Sequence, residues 1–66
     1  MSWADAKADA DRWLGSLNVK RPPPGETLDL RRHAVTLPFT GRYRLMVINA
    51  LARLLKKRRI EAVLPD

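Results

Sequence analysis

Apolar residues between Ser2 and Leu17 recur at spacings of three and four: Trp3, Ala6, Ala10, Trp13, Leu14 and Leu17. This period lines one face of a helix, with Asp5, Lys7, Asp9, Asp11 and Arg12 mainly on the other. Ser2 reads as the N-cap, Asp5 three residues on makes an imperfect capping box, and the early aspartates suit the positive end of the helix dipole. Gly15 lowers helix propensity by about 1 kcal/mol relative to Ala, and Asn18 is suited to end the helix. The spacing therefore predicts a helix over 2–17. Residues 19–26 contain Lys20-Arg21-Pro22-Pro23-Pro24-Gly25. This tract cannot continue a helix and reads as a stiff polyproline II spacer closing in a turn.

From Thr27 to Phe39 the period changes to two. Leu28 and Leu30 alternate with Asp29 and Arg31, and Val35, Leu37 and Phe39 alternate with Thr36 and Pro38. This predicts a short β ribbon over 27–39. The inward register passes from even to odd numbers across Arg32-His33-Ala34, which requires a turn or bulge there. Thr40 is placed to cap a second helix over 41–58, whose apolar arc is Tyr43, Val47, Ile48, Leu51, Leu54 and Leu55. Leu45 and Met46 flank that arc on opposite sides, leaving more apolar circumference than one small layer covers. Residues 60–64 fit a short terminal strand or an extension of the helix, and the strand is the expectation adopted. The pattern as a whole predicts an α+β fold.

Length bounds what this pattern can build. Sixty-six residues at 7.5 kDa allow one small domain spanning 1–66. A chain of this size buries only about 60% of its unfolded surface, and its core rarely supplies more than about 3–5 kcal/mol. With no cysteine and one histidine, His33, neither a disulfide framework nor a Cys/His zinc site is available, so no metal is expected. Help from a protein partner or a second copy of the chain is the remaining expectation. The longest nearly apolar stretch, Leu45 to Leu55, is interrupted by Asn49 and Arg53 and falls short of the roughly 20 residues a membrane span needs. The opening MSWADAKADADRW has no basic start and apolar core of a secretory signal, so a cytoplasmic, intracellular location is expected.

Charge then separates the halves. Thirteen Lys and Arg against seven Asp and Glu leave +6, a balance that favours polyanionic or acidic partners. Residues 1–18 carry net −1, residues 19–44 net +4 and residues 45–66 net +3. Lys56 to Arg59 resembles a nucleic-acid patch, yet cations in a last helical turn also offset the dipole. Arg42 and Arg44 have no such excuse, because the first turn of a helix disfavours positive charge. Thr40 to Arg44 could hold a phosphate with Tyr43 stacking a base; alternatively Tyr43 is core and the arginines pair with acids. Arg31 and Arg32 beside His33 read as a basic loop tip or a solvated turn. Arg42, Asn49, Arg53 and Lys56 share one helical face that could follow a phosphate backbone.

The candidate nucleic-acid-binding residues are therefore Arg31, Arg32, Arg42, Arg44, Arg53, Lys56 and Lys57. Trp3 and Trp13 are either core anchors or, with Leu45 and Met46, contacts for a protein partner. No acid/base pair, phosphate-binding glycine loop or nucleophile constellation is present in the sequence, so neither catalysis nor a cofactor or small-molecule substrate is expected. The expected function is that of a small basic accessory or regulatory protein binding DNA or RNA, or a nucleic-acid-associated complex. The alternative is a protein-binding subunit or inhibitor, for example phage-encoded, docking on a larger assembly.

Overall fold

The structure is a computed structural model that describes residues 1–65. In chain order it contains helix α1 (Trp3–Leu17), strand β1 (Leu28–Asp29), a 3₁₀ helix (Arg31–Thr36), helix α2 (Gly41–Lys57) and strand β2 (Ala62–Val63). The protein is an α+β small single domain in which α1 packs on α2 and the two strands form a parallel pair.

Helix α1 begins at a complete capping box. The Ser2 hydroxyl accepts the Asp5 N–H at 3.2 Å, and the Asp5 carboxylate accepts the Ser2 N–H at 3.0 Å. The bond from the Ser2 N–H to the Asp5 carboxylate, together with the Ser2 hydroxyl beside it, holds the Asp5 carboxyl below its ordinary value. Asn18 ends the helix in the left-handed region, with its N–H donating to the Gly15 carbonyl. In α2, Thr40 takes the N-cap position with extended backbone, but its hydroxyl makes no capping bond. The expected Thr40 cap is thus one of position only, because Gly41 turns the chain into the helix at φ +64°, a conformation that favours glycine.

At its other end α2 closes in a Schellman motif. The Ile60 N–H donates to the Leu55 carbonyl and the Arg59 N–H to the Lys56 carbonyl, with Arg59 left-handed at φ +58°. Buried Leu55 and partly buried Ile60 supply the accompanying apolar contact. The chain then returns as β2, in the place the terminal strand was expected but only two residues long. Leu28 pairs with Ala62 and Asp29 with Val63, and the flanking bonds run from Leu28 N–H to the Glu61 carbonyl and from Leu30 N–H to the Val63 carbonyl.

The ribbon expected over 27–39 does not form. Only Leu28–Asp29 is strand; the stretch that should have followed is the 3₁₀ helix. Asp29 ends the strand because its carboxylate accepts both the Arg31 N–H at 3.0 Å and the Arg31 guanidinium, a local turn that competes with extended backbone. The period becomes three, so Leu37 is buried while Val35, expected to face inward, is 93% exposed. The spacer closes in the expected turn: Glu26 N–H donates to the Pro23 carbonyl across a turn whose third residue, Gly25, has φ +83°, as a type II turn requires.

The core contains Ala6, Ala10, Trp13 and Leu14 of α1, Val47, Ala50, Leu51 and Leu55 of α2, and Leu30 and Leu37 from the connection between β1 and α2. Trp13, 5% exposed, donates its indole N–H to the Thr36 hydroxyl at 3.0 Å, and that hydroxyl donates to the His33 carbonyl at 2.7 Å. This relay fastens the 3₁₀ helix to α1. Thr36→Val keeps the shape but strands the indole N–H, and should cost about 1–3 kcal/mol, whereas Thr36→Ser should restore most of the loss. Thermal unfolding checks this, since about 1 kcal/mol shifts the midpoint of so small a domain by about 4–8 °C.

Candidate nucleic-acid interface

Between Leu30 and Ile60 the sequence contains nine cations and no acid. The described acidic residues lie on α1, in the spacer, on β1 or next to β2, so the fold decides which cations they reach. Asp11 takes the Arg58 guanidinium at 3.1 Å, and the Arg58 carbonyl accepts from Arg21 at 2.8 Å. Asp9 takes Arg12 at 2.9 Å, and Asp29 takes Arg31 at 2.9 Å. The Arg31 guanidinium and N–H hold the Asp29 carboxyl down at about 2. Of the basic run Lys56–Arg59, Arg58 is thereby tied to α1 and Arg59 serves as the left-handed turn residue. Lys56 and Lys57 remain exposed.

The solvent face of α2 is the strongest concentration of unpaired charge. Arg42, Asn49, Arg53 and Lys56 are all exposed on the side opposite Val47, Leu51 and Leu55, as their helical spacing predicts. Among the described residues no acidic side chain pairs with Arg32, Arg42, Arg53, Lys56 or Lys57. From Arg42 to Lys56 the face runs about 21 Å, the length over which each strand of a duplex carries about six phosphates. Leu45, 58% exposed, is an apolar member of the same face.

Other expected members fall elsewhere. Arg44 is half-buried and has a partner within the protein, so it lies at the rim of the core rather than on the outward face. Arg31 is exposed but held by Asp29. Tyr43 does not stand free to stack a base: its hydroxyl donates to the Asp9 carboxylate and its ring meets Phe39 edge-on, with centroids 5.2 Å apart. Trp13 is core, which removes it from the expected partner contacts, and Met46 packs partly buried against the core.

The hydrogen bond to Asp9, with burial and the negative charge of that carboxylate adding to it, pushes the Tyr43 phenol up to about 12. A raised folded value means that this contact stabilises fully below the unfolded value, near 10, and is lost as pH rises through about 12. Tyr43 is the one tyrosine of the chain. An absorbance titration should therefore give a single phenolate midpoint well above the ordinary value, moving back toward it in Asp9→Asn; an ordinary midpoint in the folded parent would refute the contact.

Trp3 is the aromatic residue at the edge of this face. It is 37% exposed, and the Arg53 guanidinium lies 5.3 Å from its ring centroid, a cation–π distance. Lys7, absent from the candidates drawn from spacing, lies beside them with Lys57. Its signal was present in the sequence, since Trp3 and Lys7 are four residues apart and share a helical flank. What spacing could not supply was the second helix that brings Arg53 and Lys57 to them.

Among the described residues no group of His, Cys, Asp and Glu side chains is arranged to hold a metal ion, and no helix is long and apolar enough to cross a membrane. The chain matches no protein-family model, no curated protein and no solved structure with which it was compared.

Proposed function

We propose that this protein is a small, non-enzymatic accessory or regulatory factor that contacts DNA or RNA through the outward face of α2. The observation that carries the reading is the run of Arg42, Arg53 and Lys56, with Asn49 among them, on an exposed face to which no described acidic side chain is paired. The positive charge at the start of α2 strengthens it, because Arg42 opposes the helix dipole and so carries no benefit to local stability. Arg32 and Lys57 extend the positive surface, and Asn49 adds a group able to hydrogen-bond a base edge or a phosphate.

Phosphate binding has a thermodynamic signature. Each neutralised phosphate contributes a slope of about −0.9 to log K against log salt on duplex DNA and about −0.7 on a single strand. Three to four contacts along α2 thus predict a slope of about −2 to −4. Fluorescence anisotropy with labelled DNA and RNA over a salt series measures it. Absence of binding to either at low ionic strength would overturn the reading.

Leu45, together with Trp3, supports a second reading, in which the protein docks on a larger assembly as a protein-binding subunit or inhibitor. That mode would be only weakly salt-dependent, and Leu45→Asp would abolish it.

A further inference from the structure

A groove of about 300 Å³ lies between the first turns of α1 and the second half of α2, lined by Trp3, Lys7, Ala50, Arg53, Leu54 and Lys57. Its composition combines an apolar floor, one aromatic wall and three cations, with no acidic lining residue. Trp3 is the first residue of α1, whose backbone start the Ser2–Asp5 capping box fixes. Arg53 lies over one face of the ring, its Cζ 5.3 Å from the centroid, while Trp3 stays 37% exposed, so a planar guanidinium and an indole stand stacked at the groove. Both are surfaces on which nucleobases stack. Arg53 is also a member of the outward face of α2, which makes the groove continuous with that face.

We infer that this groove receives an unpaired nucleotide, its base against Trp3 and Arg53 and its phosphate between Lys7 and Lys57. The inference rests on the nucleic-acid reading and deepens it by naming the form of the ligand. Duplex bases are stacked on both faces and present only their edges in the grooves, so a paired base cannot meet the indole. An unpaired one can, and its backbone then runs along a wall that carries cations alone. A stacking contact of this kind is tolerant of sequence.

The test uses the intact protein with a mixed-sequence strand of about ten nucleotides, within the span of known single-strand sites, and the same strand annealed to its complement. The single strand should bind more tightly than the duplex and quench tryptophan emission, with the quench absent in Trp3→Phe because Trp13 is buried. Trp3→Ala should weaken single-strand binding about tenfold and duplex binding, which it reaches only through Arg53, far less. Lys7→Gln, at an exposed position with no structural bond, should give a smaller loss confined to the single strand, so that a folding defect in Trp3→Ala does not decide the matter. Equal affinity for both forms, with Trp3→Ala and Lys7→Gln silent, overturns the inference and leaves the nucleic-acid reading standing. Binding of neither form at low salt overturns both. Quenching by an acidic peptide as complete as by the strand also overturns it, since the groove would then be a general polyanion site.

Discussion

Leu51→Ala is expected to leave the protein largely unfolded at room temperature. Leu51 is 0% exposed and lies on the buried face of α2 between Val47 and Leu55. Truncating a buried leucine costs about 2–5 kcal/mol, combining the lost transfer free energy with the cavity left behind. A domain of this length has a total stability of about 3–10 kcal/mol, and its core is at the small end of what folds alone. No disulfide compensates, because the chain has no cysteine. Circular dichroism should show most of the helical signal lost, or a midpoint lowered by tens of degrees, at about 4–8 °C per kcal/mol. The matched control is Leu45→Ala, 58% exposed on the opposite face, which should stay within about 0.5 kcal/mol of the parent. A Leu51→Ala melt within a few degrees of the parent would contradict the core described above.

Reversing three charges on the outward face of α2 should remove nucleic-acid binding with the fold intact. Arg42→Glu, Arg53→Glu and Lys56→Glu together take the formal charge from +6 to zero. Binding at low salt should be lost, and any that remains should show a slope of log K against log salt shallower by about two to three units. Stability moves differently at each site. Arg42→Glu places an anion where the helix dipole favours one, a gain of about 0.3–1 kcal/mol. Arg53→Glu forfeits the contact with Trp3, a loss of about 0.5–1 kcal/mol. The net change in the melt is small, so lost binding is separable from lost structure. Lys20→Glu, an exposed cation outside α2, controls for net charge and should weaken binding far less. Undiminished binding by the triple variant would exclude this face as the contact surface.

The two helices and their ends were legible because each is specified locally. Ser2, Asp5 and Asn18 bound α1 through bonds made within a few residues of one another. The apolar period of α2 is long enough to exclude other structures. The outward face of α2 was legible for the same reason: Arg42, Asn49, Arg53 and Lys56 share a face by helical spacing alone. The ribbon over 27–39 was misread because alternation over so few residues is easily outweighed by a local turn. The Asp29 carboxylate binds Arg31 two residues on, and the resulting 3₁₀ helix turns Val35 outward. Its own hydrogen bonds, and the Trp13–Thr36–His33 relay, then hold it in place.

By itself the sequence determined where the two α-helices begin and end to within a residue, that the chain is basic, and that the second half lacks acids over most of its length. Those properties depend on neighbours within about one helical turn or on simple counts. Only the tertiary structure decided which cations are neutralised, which tryptophan is buried and what β1 pairs with. Asp11 meets Arg58 across 47 positions, and Tyr43 meets Asp9 and Leu28 pairs with Ala62 across 34 each. Such pairings arise because burying the apolar faces of α1 and α2 fixes everything attached to them, and no local pattern encodes that geometry. The +6 of the chain is thus a property of composition and its stripe along α2 one of helical spacing, whereas the gathering of Lys7, Arg53 and Lys57 around Trp3 follows from packing.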